Sequence, residues 1–227
     1  MALPNYLEDY FSNKPKLYTL DKWSHYFRIY DRHFSKYRGE SPVVLEVGVQ
    51  HGGSLEMWKD YFGEGVKIWG VDISPKCLNI KLSGVEILIG DQEDPSFWDQ
   101  VKSIVPKVDI LIDDGGHTME QQKNTFSCMY DHIKDDGVYL CEDTHTSYMT
   151  DGFSGGYKQS NTFIEQTKNF VDSLHAHWFD SNDEQKKFRN TTDSVHYYDS
   201  VVVLEKKVSE RPAPCVSVGS RSASLPL

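Results

Sequence analysis

Short apolar runs alternate with amphipathic stretches through most of this chain, and the alternation predicts its elements. Residues 43–47, 66–71, 85–89, 108–112 and 138–141 are runs of Val, Ile and Leu of strand length. Between them, 52–62, 96–104 and 120–133 carry helical spacing; Asp94-Pro95 opens the second helix and Asp135-Asp136-Gly137 is expected to stop the third. A further helix is expected over 162–174, and 195–198 with 201–205 form a closing pair around Asp199-Ser200. Strands that alternate with helices imply a mostly parallel sheet, and the late hairpin implies an antiparallel edge. The expectation is a Rossmann-like α/β domain over 41–207, with a helical extension at 1–40 and a tail at 208–227 that lacks periodicity and is expected to be flexible.

Within 1–40, Trp23, Phe27, Tyr30 and Phe34 recur at helical spacing, which predicts a helix from about Asp21 covering one edge of the sheet. The other reading is a lid over the active site, with Lys22, His25 or Tyr26 turned toward ligand.

Composition narrows the function classes. A chain of 227 residues with 38% apolar content suits one domain with a buried core, and its net charge of −10 argues against a general nucleic-acid binder. No apolar run approaches the roughly 20 residues of a membrane span. The first residues lack the basic and apolar regions of a signal peptide, and the four cysteines show no CxxC spacing. A reduced, cytoplasmic protein with no membrane partner is expected, with Cys141 a small core residue.

Val44-Leu-Glu-Val-Gly-Val-Gln-His-Gly-Gly-Ser54 reads as strand, glycine turn and helix start. Gly48 lets the backbone turn and a ligand approach, Gly52 and Gly53 permit tight packing, and Ser54 can cap the helix. This is not the dinucleotide GxGxxG fingerprint. Glu46, two residues before the first glycine, suits a cationic ligand end better than a diphosphate. Asp72 closes the second strand, where an acid can bind ribose hydroxyls, and Asp91-Gln92 follow the third, near where an adenine amino group could lie. Acids in this order at successive strand ends point to a nucleoside-type cofactor.

Two further acidic pairs, Asp113-Asp114 and Glu142-Asp143, close the fourth and fifth strands. Ligands in open α/β sheets bind beyond the carboxyl ends of the strands, so both pairs face one crevice. Crowded carboxylates repel unless a cation or proton relieves them, and an all-oxygen set suits a hard cation such as Mg²⁺. Helix capping is the ordinary alternative for one member of each pair. His117 closes the first motif and is the candidate base, with His145, two residues past Asp143, as its rival.

The order of these pieces over roughly residues 43–206 resembles the class I S-adenosylmethionine-dependent methyltransferases. Asp113-Asp-Gly-Gly-His117, Glu142-Asp-Thr-His-Thr-Ser-Tyr148 and Gly155-Gly156 resemble, more narrowly, the metal-dependent macrocin and mycinamicin sugar O-methyltransferases, a group whose members include relatives labelled cephalosporin hydroxylases. The resemblance implies S-adenosyl-L-methionine as cofactor and Mg²⁺ (or Mn²⁺) held by Asp114, Glu142 and Asp143, with His117 as general base and Asp113 structural or touching the cofactor. It implies a sugar hydroxyl as acceptor, in antibiotic or other natural-product biosynthesis or on a surface glycan, and a tendency to homo-oligomerise. Tyr26, His145 and Tyr148 are candidate acceptor contacts. One departure is Gly116, where relatives often carry Ser. Three other readings stay open: a catechol-type O-methyltransferase, a hydroxylase, and a catalytically dead cofactor-binding partner. The hydroxylase would call for two histidines and one carboxylate. The dead partner would have no need of intact acids.

Overall fold

The computed structural model describes residues 5–210 and Cys215. Seven strands form one sheet: β1 (Val43–Val47), β2 (Lys67–Asp72), β3 (Val85–Ile89), β4 (Val108–Asp113), β5 (Ile133–Cys141), β6 (Thr192–Tyr198) and β7 (Val201–Lys206). The order is β3-β2-β1-β4-β5-β7-β6. β1 to β5 run parallel, while β7 is antiparallel to both β5 and β6. The chain winds outward from β1 in one direction and from β4 in the other, so β1 and β4 flank the switch point where such sheets bind ligands. This is the fold expected from the sequence.

The helices are α1 (Tyr6–Asn13), α2 (Tyr26–Phe34), α3 (Gly53–Phe62), α4 (Pro95–Ile104), α5 (Met119–Met129), α6 (Phe163–Lys168), α7 (Phe170–Leu174) and α8 (Asp183–Thr191). They divide the core between the two faces of the sheet. One face packs α1, α2 and α3 through Tyr26, Tyr30, Phe34, Trp58 and Phe62 onto Ile110, Ile112 and Val138. The other packs Trp98, Phe126, Met129 and Phe170 onto Leu111 and Tyr139. Residues 5–40 therefore share their core with the sheet instead of building a second one. No helix among the described residues is long and apolar enough to cross a membrane.

Four local expectations change. The N-terminal helix begins at Tyr26, not Asp21. Phe27, Tyr30 and Phe34 are buried as the spacing requires, but Trp23 lies before the helix and is 58% exposed. Asp135-Asp136-Gly137 does not stop a helix: α5 ends at Met129, and these residues lie inside β5. A Cβ on Gly137 would stand 2.7 Å from the Asp109 carbonyl oxygen, so the glycine permits close approach at the irregular start of the β4–β5 pairing. The helix over 162–174 is two short ones broken at Asn169. α8 buries no residue and so has no apolar stripe to betray it; its signal was the Asn182–Gln185 capping box. Of the tail at 208–227, all but 208–210 and Cys215 lies outside the described residues.

Candidate functional site

The carboxyl ends of β1 to β5 open into one cavity of about 910 Å³. Its floor is the glycine turn. Gly48 has φ +90°, and a Cβ there would stand 1.8 Å from the Asp114 carbonyl oxygen, so glycine is what lets the β1 turn lie against the end of β4. Asp72 shapes the turn from β2: Oδ2 accepts from the Val49 and Gln50 amides at 2.9 Å each and Oδ1 from Ser74 at 2.8 Å. Gly48, Asp72, Asp91 and Gln92 all line the cavity.

Three expected cofactor contacts, Glu46, Gly52 and Asp113, are absent from the cavity wall, and a fourth, Ser54, has a different role. Glu46 is fully buried and absent from the cavity wall; it accepts from Trp58 Nε1 at 3.0 Å and lies 3.7 Å from Lys22 Nζ. Burial pushes its carboxyl up to about 7. Ser54 does not cap α3, whose N-cap is the left-handed Gly52 with φ +82°; its hydroxyl is directed at Glu46, although the residue reaches the cavity. A Cβ on Gly52 would lie 2.7 Å from Ile80 Cδ1, so its part is the tight turn. Asp113 is held under the cavity by Gln92 Nε2 at 2.7 Å and Tyr139 Oη at 3.2 Å, and burial pushes it up to about 7. Gln92 also receives the Gly116 amide on Oε1 at 3.1 Å, so its side chain braces the 113–117 turn more than it faces ligand.

At the other end of the cavity the remaining acids converge. Asp114 Oδ1 and Asp143 Oδ2 lie 3.9 and 3.4 Å from His117 Nε2. Asp114, His117 and Asp143 can each offer one atom to a common ion. Glu142 stands beside them, 1% exposed, with Oε1 accepting from Tyr30 Oη at 2.7 Å and Oε2 from Lys22 Nζ at 2.9 Å. Lys22 Nζ also contacts Asp114 Oδ2. Burial raises the carboxyls of both Glu142 and Asp114 above their ordinary values, against the pull of the Lys22 ammonium. Burial alone would lower Lys22, but Asp114, Glu142 and Glu46 hold it well above its usual range.

His117 and Asp143 both adopt left-handed backbone conformations, φ +60° and +51°. Thr146 Oγ1 bridges their carbonyl oxygens at 2.8 and 2.9 Å, which holds the two turns in register. His117 Nδ1 is buried without a hydrogen-bond partner, and so is Glu46 Oε1, whose nearest cation is Lys22 Nζ at 3.7 Å. Tyr26 lines the cavity, but its Oη lies 2.7 Å from Asp143 Oδ1 and 2.8 Å from Ser200 Oγ, so it orients an acid. His145 Nδ1 is 2.5 Å from the same Ser200 hydroxyl, and neither His145 nor Tyr148 reaches the cavity wall. Tyr148 is half exposed and packs near Tyr157 at 6.3 Å. Tyr30, Ser200 and Gln122, whose Nε2 donates to the Glu142 carbonyl at 3.1 Å, were not among the expected residues. Tyr30 reads locally as plain helix core, and its partner is 112 residues away.

The donor set suits a hard divalent cation: Asp114 and Asp143 carboxylate oxygens converge with His117, Glu142 lies beside them, and a lysine ammonium already stands against Asp114 and Glu142 as a positive group. It does not fit a non-haem iron centre, having one histidine. Another group, His33, His196 and Glu205, has two histidines but lies off the cavity, and both ring nitrogens of His33 are bonded at 2.8 Å, to Glu205 and Tyr198.

The sheet order, the glycine turn and the cavity at the switch point define a Rossmann-like α/β fold with its ligand crevice at the carboxyl ends of the strands. No protein-family model matches the chain. Among curated proteins it is 34% identical over 207 residues to demethylmacrocin O-methyltransferase of Streptomyces fradiae, a match covering 85% of this chain and 52% of that one. It is 33% identical over 190 residues to mycinamicin VI 2''-O-methyltransferase of Micromonospora griseorubida, covering 78% and 47%. The crystal structure of MycE methyltransferase from the mycinamycin biosynthetic pathway, in complex with Mg, SAH and mycinamycin VI, superposes with a TM-score of 0.77 at 30% identity, covering 90% of this chain and 53% of that one. Its curated homologues are thus sugar O-methyltransferases, and the chain spans about half the length of the curated relatives it matches.

Proposed function

We propose that this chain is an S-adenosylmethionine- and divalent-cation-dependent O-methyltransferase acting on a hydroxyl of a sugar carried by a natural product or glycan. The observation behind the reading is a single cavity with a nucleoside-type floor at Gly48 and Asp72 and a carboxylate cluster with one histidine at its other end. The likeness to enzymes that methylate demethylmacrocin and mycinamicin VI supports it.

In this reading Asp114, Glu142 and Asp143 hold the cation and His117 is the base. When bound, Mg²⁺ supplies a positive charge that acidifies and positions an acceptor hydroxyl. The rest falls to the protein. The turn at Gly48 and the acid at Asp72 would hold the donor, which would bring an activated methyl group into the cavity. His117 Nε2 takes the hydroxyl proton, and the resulting imidazolium is stabilised by Asp143 and Asp114, 3.4 and 3.9 Å away. Thr146 fixes the ring's origin through the His117 carbonyl, so the base need not search for its position. Residues 18–23 and Tyr26 line the cavity as a lid would, with 41–207 as the catalytic body. A cytoplasmic setting, suggested by the four free cysteines, and a homo-oligomeric state belong to the same proposal, as does a small-molecule or glycan acceptor in place of nucleic acid or membrane.

The test is methyl transfer from labelled S-adenosylmethionine to macrolide and aromatic glycosides with free sugar hydroxyls, with their aglycones and a catechol as controls. Labelling confined to the sugar, and abolished by EDTA, is expected. Labelling of catechol or aglycone but not sugar overturns the acceptor class.

A further inference from the structure

Residues 14–25 join α1 to α2 as a non-helical strap, and its residues 18–23 form one wall of the cavity. Its outer end is tied to α3: Lys14 pairs with Asp60 at 2.7 Å, and the Glu56 carboxylate accepts from the Leu17 and Tyr18 amides at 3.0 and 3.1 Å. The strap lies so close to the start of α3 that a Cβ on Gly53 would stand 2.2 Å from the Thr19 carbonyl oxygen. Its inner end is held by charge. The Lys22 side chain is 3% exposed, and its ammonium touches Asp114 Oδ2, lies 2.9 Å from Glu142 Oε2 and 3.7 Å from Glu46 Oε1.

Both Glu142 oxygens are therefore taken, one by Tyr30 and the other by Lys22. A divalent cation that uses Glu142 needs an oxygen that Tyr30 or Lys22 now holds; at Asp114 it would share the carboxylate with Lys22, which sits on Oδ2, and two cations at one edge repel. We propose that Lys22 is a tethered counter-cation that competes with the divalent cation for the Asp114–Glu142 edge, so that metal loading withdraws Lys22 and frees the inner end of the strap. The inference rests on the cluster being a metal site. Lys22 then has two effects. It compensates the buried acids in the metal-free protein, and it makes metal loading the event that loosens one cavity wall next to the acceptor side. Trp23 follows Lys22 in the chain, is exposed, and meets the His145 ring edge-on at 6.4 Å, so it moves with the strap.

The test uses the full chain. Mn²⁺ binding is measured by electron paramagnetic resonance for wild type, Lys22→Met and Lys22→Arg, each checked for folding by circular dichroism. Hydrogen–deuterium exchange over 17–25 in the wild type is followed with and without Mn²⁺. Lys22→Met is expected to bind Mn²⁺ at least about tenfold more tightly, because a like charge has left the edge, while Lys22→Arg stays near wild type. Exchange over 17–25 is expected to rise on Mn²⁺ addition. Unchanged or weaker Mn²⁺ binding in a folded Lys22→Met overturns the proposal, as does wild-type exchange that stays flat or falls while Mn²⁺ binds. Mn²⁺ bound by none of the three proteins refutes instead the reading of the cluster as a metal site.

Discussion

Removing one oxygen atom from Tyr26 isolates the geometry of the proposed metal ligand Asp143. The Tyr26 ring is 1% exposed and belongs to the core, so Tyr26→Phe keeps the packing. It removes the partner 2.7 Å from Asp143 Oδ1 and the acceptor, at 3.3 Å, of the Asp143 amide. A hydrogen bond to a charged group contributes about 1.5–3 kcal/mol. Ser200 Oγ keeps its contact with His145 Nδ1 at 2.5 Å, so the expected stability loss is at the lower end, about 2 kcal/mol. Without the Tyr26 hydroxyl, the side chain left beside Asp143 Oδ1 is His145, with Nδ1 a looser 3.9 Å away, while Oδ2 faces His117. Loss of such an orienting partner weakens metal binding roughly 10–100-fold, or about 1.4–2.8 kcal/mol. The glycine turn and Asp72 do not touch Tyr26, so S-adenosylhomocysteine binding stays at the wild-type level. Calorimetric titration with Mn²⁺ and with S-adenosylhomocysteine, alongside a thermal melt, reads all three quantities. Wild-type Mn²⁺ affinity in a folded Tyr26→Phe protein would refute the orienting role, and loss of both ligands together would show a general collapse of the site.

Asp114→Asn is expected to abolish divalent-cation binding and turnover while S-adenosylhomocysteine affinity changes by no more than about threefold, since the cofactor floor lies on β1 and β2; equal loss of both ligands contradicts that division. Gly48→Ala drives a Cβ to within 1.8 Å of the Asp114 carbonyl at a φ of +90°, so cofactor affinity falls at least about 100-fold and the melting temperature drops; near-normal binding by calorimetry argues against the close approach. The Asp113 carboxyl, pushed from 3.8 to about 7 by burial, keeps in the folded state a proton that the unfolded chain releases. The stability it lends is therefore full below about pH 4 and lost as pH rises to about 7, a few kcal/mol at roughly 1.4 per pKa unit. Urea midpoints should fall across that window and fall less steeply in Asp113→Asn; identical slopes would remove Asp113 from the explanation.

The strand pattern was legible because β1, β2, β4 and the second half of β5 are apolar runs with acids at or near their ends, and those acids also point to the crevice. Gly48 and Asp72 could be placed by their order alone. What the pattern could not show was direction into or away from the cavity for residues a few positions apart. Glu46 and Asp114 are both acids near strand ends, yet one is buried beneath the glycine turn against Trp58 and the other lines the cavity. The helical spacing from Trp23 to Phe34 gave no hint that Lys22 turns inward to the strand-end acids and that the helix starts only at Tyr26. Tyr30 and Ser200 are invisible because their partners, Glu142 and Tyr26, lie 112 and 174 residues away in the chain. α8 escaped because Phe188 is its one apolar residue, and a single ring makes no helical stripe.

The central claim is that a methyl donor and a divalent cation share one cavity in this chain. Diffraction from a crystal soaked with Mn²⁺ and S-adenosylhomocysteine, recorded at the manganese edge, tests it most directly. The account predicts one anomalous peak bonded to oxygens of Asp114, Glu142 and Asp143, Lys22 drawn away from it, and the thioether sulfur over Gly48 facing His117. Manganese bound outside this cluster, or a cofactor lying outside the Gly48–Asp72 floor, would contradict it.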